Sequence, residues 1–169
     1  MLMTCVGLVT GGCAASRPPG VAPRQQPTSA ATHPAAAAAS PGRRVAAARY
    51  LAIAQAGNRR LEVDFDRLAG RDRGRLTAAE ADLRDAAATE HLFDRRLLAI
   101  VFPAATEPIA RLLFRVNQSR ASLTIAAAAS VSLRQLDSFE RRLRAANEPV
   151  EEAVRVIRSQ LGLPPPQTS

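Results

Sequence analysis

The stretch Thr77–Ile100, TAAEADLRDAAATEHLFDRRLLAI, decides the fold. Ala79, Leu83, Ala86, Glu90, Phe93, Leu97 and Ile100 recur at alternating steps of four and three residues, which places them on one face of a helix. Thr77 and Glu80 have the T-x-x-E spacing of a capping box, in which hydroxyl and carboxylate satisfy backbone donors that the first turn leaves open. A helix is therefore predicted to start at Thr77 and to end before Pro103.

Working outward, Tyr50, Ala54, Gly57, Leu61, Phe65 and Leu68 repeat the same period and predict a helix over about Gly42–Leu68, with Gly70 and Gly74 marking its end and the turn. Thr106-Glu107-Pro108 opens a third helix with a cap, an acid at the positive end and Pro in the first turn. Asn147-Glu148-Pro149 has the same form and predicts a short fourth helix. Its stripe is Val150, Val154, Ile157 and Leu161, closed by Gly162. No strand alternation is present, so the class is all-α.

Short turns allow levels to be matched. Reflection about residue 74 sets Phe65 beside Leu83 and Leu61 beside Ala87; reflection about 104–105 sets Ile100 beside Ile109, Leu97 beside Leu112 and Phe93 beside Val116. Apolar levels meet apolar levels, which predicts an antiparallel up-down helical bundle of three long helices plus a short C-terminal helix, preceded by a disordered tether. A helix unbroken from Glu107 to Ala146 would reach about 60 Å at 1.5 Å per residue, so either it projects beyond the bundle or it bends near Ser130-Val131-Ser132.

All 23 basic residues are Arg, and the net charge is +8. Residues 1–44 hold Arg17, Arg24, Arg43 and Arg44 without an acid, while the remainder mixes 19 Arg with 15 acids. Half of the net charge thus falls before or within the first turn of the helical part, where it suits anionic lipid headgroups. No basic run is interleaved with aromatic residues, which argues against nucleic acid as a partner. Residues 14–40 are mostly Pro, Ala, Gln, Ser and Thr with almost no large apolar side chain, a composition that cannot offset its ordering entropy.

Cys13 follows an uncharged apolar run and the pair Gly11-Gly12, and the polar stretch comes after it. This arrangement resembles the lipobox of a bacterial lipoprotein. The resemblance covers about the first sixteen residues. It implies cleavage before Cys13, lipidation of that residue and display on the outward face of the cell membrane. The residues alone also allow a plain export signal or an apolar terminus. No Arg precedes the apolar run, so the natural start is expected further upstream. The organisation read from the chain is a leader over 1–12, Cys13 and a tether over 13–40, a helical domain over 41–163 and a Pro-rich tail over 164–169.

Candidate chemistry is sparse. Glu90 falls on the inward face of its helix, level with Asn58 and with Ser119 or Arg120. A buried carboxylate needs a partner, and two readings stay open: a structural ion pair with Arg59 or Arg120, or a polar layer of Asn58, Glu90 and Arg120 serving as a small pocket. His91 is the domain's one histidine and has no second ligand at di-iron spacing, so no metal site, cofactor or catalytic residue is expected. Arg71, Arg73 and Arg75 read as an anion site or as a solvated turn neutralised by Asp72. The expected role is a lipid-anchored binding or interaction module at the cell envelope with an envelope protein as partner, not an enzyme. The alternative is a structural, self-associating protein.

Overall fold

The computed structural model describes residues 40–166; the apolar leader, Cys13 and residues 14–39 of the tether lie outside them. Four helices make up the described chain: α1 (Pro41–Ala69), α2 (Leu76–Leu98), α3 (Glu107–Ala128) and α4 (Leu133–Leu161). No strand occurs among the described residues. None of the described helices is long and apolar enough to cross a membrane.

The helix ends follow local chemistry. Ser40 accepts a hydrogen bond from the Arg43 backbone N–H at 3.3 Å ahead of α1. Gly74 takes a φ of +78° in the turn to α2, a region that suits glycine. Leu76 rather than Thr77 begins α2, and its N-cap, Arg75, makes no side-chain capping bond. The expected capping box is therefore not formed: Glu80 instead accepts from Arg84, one turn on, at 3.0 Å. That choice pairs an exposed arginine with the carboxylate, and the helix starts two residues earlier than a cap at Thr77 would allow. Gly162 ends α4 in the left-handed region, φ 73°, with Leu163 N–H donating to Arg158 C=O at 2.8 Å and Gly162 N–H to Ser159 C=O at 3.0 Å.

The largest correction concerns the second half of the chain. A break falls after Ala128, and α4 then runs 29 residues without interruption through Asn147-Glu148-Pro149. Hence there are not three long helices and a short one but helices of 29, 23, 22 and 29 residues. Ser132 supplies the start, accepting from the Gln135 backbone N–H at 3.2 Å, while the Gln135 side chain accepts from Val131 N–H at 2.9 Å. Pro149 removes one intrahelical donor, yet both it and Ala145, whose carbonyl would have received that bond, are exposed. Water can serve the freed carbonyl. Because Pro is about 3 kcal/mol poorer than Ala in a helix interior, Pro149→Ala is expected to raise the urea midpoint. An unchanged or lowered midpoint would mean that the Pro149 ring itself is needed for packing.

Two apolar clusters hold the helices together. One joins Ala46, Ala47 and Tyr50 of α1, Leu97 of α2, Ile100 and Phe102 of the following connection, Leu113 of α3, and Val150, Ile157 and Leu161 of α4. The other joins Leu83 of α2 with Ala127 and Ala128 of α3, against which Leu68, Leu136, Phe139 and Leu143 pack. The α3 register is one residue from expectation: Leu113 is fully buried and Leu112 is exposed.

Candidate functional site

Between the two apolar clusters, three helices each place polar groups inward. On α2, Glu90 and Asp94 stand between Leu83 and Leu97; on α3, Asn117 and Arg120 stand between Leu113 and Ala127; on α4, Asn147 stands between Leu143 and Val150. Glu90, Asp94 and Asn117 are each 2% exposed. Arg120 binds both neighbours: its Nη2 lies 3.1 Å from Glu90 Oε1, and its Nη1 donates to Asn147 Oδ1 at 3.1 Å. Asn117 Nδ2 donates to Asp94 Oδ1 at 2.8 Å. One guanidinium thus ties α2, α3 and α4 at a single level.

The layer is not fully satisfied. Glu90 Oε2, Asp94 Oδ2 and Arg120 Nε are buried without a hydrogen-bond partner. Removal from water, only partly offset by Arg120 and reinforced by the nearby Asp94, pushes the Glu90 carboxyl from 4.5 up to about 6. Asp94 is also raised by burial, against the opposing pull of Asn117, His91 and Arg120. Two carboxylates facing one guanidinium therefore favour holding a proton in this layer.

Of the residues expected here, Glu90 and Arg120 meet and Asn58 does not. Asn58 is exposed. Its neighbour Gly57 is half-buried against α2, where an added Cβ would meet Phe93 at an ordinary contact distance of 4.0 Å. Arg59 is likewise exposed. Asp94, Asn117 and Asn147 join the layer without being among the expected residues. Two of them carry a signal in the chain: Asp94 follows Glu90 by four residues and Asn117 precedes Arg120 by three, the spacings of shared helix faces.

A second polar group lies at the α1–α2 turn. Asp72 is paired by Arg71 at 3.3 Å and Arg75 at 3.6 Å, which is the neutralised turn rather than an anion site. Burial, followed by the neighbouring Asp72, raises the Asp82 carboxyl, and burial followed by Asp85 raises that of Asp64. Among the described residues no group of His, Cys, Asp or Glu has the arrangement of a metal site. A cavity of about 10 Å³ between α1 and α2, lined by residues including Gly57, Arg60, Phe93 and Arg96, has room for about one water molecule. Comparison with protein-family models, curated proteins and solved structures finds no match.

Proposed function

We propose that this chain is a lipid-anchored, exported helical protein that acts as a binding or interaction module at the cell envelope. The observation that carries the reading is Gly11-Gly12-Cys13 after an apolar run, with the polar stretch 14–40 between that cysteine and α1. The partner is another envelope protein, and the membrane is reached through the acyl chains on Cys13. In support of a structural role for the Glu90–Arg120 layer, the two side chains are 2% and 17% exposed and bond to each other. Its role is to fix helix register, because a slip of one turn would set these charges against an apolar cluster.

The helices run up and down in antiparallel order. In support, one apolar cluster takes the start of α1, the end of α2, the start of α3 and the end of α4, while the other takes the converse ends. A second reading, self-association without a specific ligand, is favoured by Val131 and Leu133, exposed to 85% and 38% at the α3–α4 connection.

The test of the address is Cys13→Ser in the gene expressed from its natural start. The wild-type protein should fractionate with membranes and carry an acylated Cys13 by mass spectrometry, and the variant should be released. An intact, unmodified terminus on the native protein would sink the reading.

A further inference from the structure

The connection between α2 and α3, like residues 121–133 around the α3–α4 connection, is an uncharged stretch with exposed apolar side chains, and it directly follows a pair of arginines. From Leu97 to Thr106 the sequence LLAIVFPAAT holds no charged residue. Leu98 is 58% exposed and Val101 84% exposed, whereas Ile100 and Phe102, on either side of Val101, are buried in the larger apolar cluster. Val101 is therefore held outward by two anchored neighbours. Turn bonds fix the segment further, with Ile100 N–H on Leu97 C=O at 3.1 Å and Thr106 N–H on Pro103 C=O at 2.8 Å. Immediately before it, Arg95 and Arg96 occupy the exposed last turn of α2.

The same end of the domain receives the preceding chain. Ala46, Ala47 and Tyr50 of α1 share the cluster with Ile100 and Phe102, so the first turns of α1 lie beside this connection. The first turns of α1, residues 41–50, carry Arg43, Arg44 and Arg49 and no acid. Acids near this end are on the other helices: Glu107 is bonded to Arg111 at 2.9 Å, Glu152 of α4 is paired with Arg155, and Glu148 and Glu151 of α4 are exposed. The α1–α2 turn at the opposite end, by contrast, mixes Arg71, Asp72, Arg73 and Arg75.

We propose that this end of the domain, presented by the α2–α3 connection, rests on an anionic phospholipid surface. Leu98 and Val101 enter the interfacial region, and Arg95 and Arg96 meet the headgroups. An apolar tip set beside cations is the chemistry of interfacial binding. The proposal deepens the reading of Cys13 as an anchor, since it supplies a second contact on the side from which the anchor's chain arrives.

The experiment uses the full chain as Cys13→Ser, so that no acyl chain contributes, in flotation with vesicles of phosphatidylcholine alone or mixed with phosphatidylglycerol. The unlipidated protein should float with the phosphatidylglycerol vesicles and lose that binding in high salt. Adding Leu98→Asp and Val101→Asp should weaken binding at least tenfold with an unchanged circular dichroism spectrum, both side chains being already exposed. Val131→Asp, at the other connection, should leave binding as it was. The proposal is overturned by no flotation, by equal flotation with neutral vesicles, or by undiminished binding of the Asp variants. It is also overturned if Leu98 and Val101 prove instead to be covered in a dimer that the Asp variants dissolve. Acylation of Cys13 is read separately by mass, so either reading can fail without the other.

Discussion

Replacing Ile157 by Ala is expected to lower the stability of the folded domain by about 2–5 kcal/mol, while Arg155→Ala, two residues earlier, should shift the urea midpoint little. Ile157 is fully buried and shares a cluster with Tyr50, Leu97 and Leu113, so residues of every helix would line the void left by the lost methyl groups. Arg155 is exposed and its pairing with Glu152 lies on the solvent face, where an ion pair contributes at most about 1 kcal/mol. A loss of that size at Ile157 is a large share of the roughly 5–15 kcal/mol that holds a domain folded. Equal, small effects at both positions would mean that α4 is not packed on the bundle and is free for a partner.

The contrast between Ile157 and Arg155 is legible in the amino-acid sequence. The stripe Val150, Val154, Ile157, Leu161 is a plain 3.6-residue pattern, and burial of Val150, Ile157 and Leu161 follows it. Helix ends are legible where the chain alone decides them: Gly162 stops α4, and α3 opens at Glu107-Pro108, although Thr106 before it makes no side-chain capping bond. The local rule fails where a distant group competes. Asn147 has the residue type of a cap, but its side chain accepts from Arg120 on α3, so Asn147-Glu148-Pro149 continues a helix instead of starting one. The true start is also encoded, as Ser132-x-x-Gln135, and the break falls at Ser130-Val131-Ser132, the bend that helix length had left open beside a projecting helix. Levels matched by reflection cannot distinguish Leu112 from Leu113, since one residue of turn length rotates a helix by about 100°.

For the polar layer, reflection brings Glu90 and Arg120 together correctly because both lie midway along helices joined by a short connection. It brings in Asn58 wrongly. Position along a helix sets level but not azimuth, and α1 turns Gly57, not Asn58, toward Phe93. Asn147 is beyond reach for a different cause: its level depends on treating residues 133–161 as one helix.

The layer makes the sharpest claim about energetics. Arg120→Met should destabilise the domain by about 3–5 kcal/mol at neutral pH, because it leaves the Glu90 carboxylate buried without its cation. The loss should shrink in acid, where Glu90 takes up a proton and no charge remains to be compensated. In the unaltered protein the sign is set by the raised carboxyl. Glu90 binds its proton more tightly folded, at about 6, than unfolded, at 4.5. Its contribution to stability is therefore fully present below pH 4.5 and is lost as the pH rises through 6. A rise of that size corresponds to about 2 kcal/mol. The buried Asp94 acts in the same direction, being raised by the same loss of water. Urea unfolding between pH 4.5 and 7.5 should consequently show a domain that is more stable at the acid end of this range, with Glu90→Gln flattening much of the slope. Glu90→Met combined with Arg120→Met should recover part of what Arg120→Met alone loses, since an apolar pair needs no compensation at the junction of two apolar clusters. If stability instead falls steadily with acid and Glu90→Gln leaves the profile untouched, the carboxylate is solvated and the layer does not hold the helices in register.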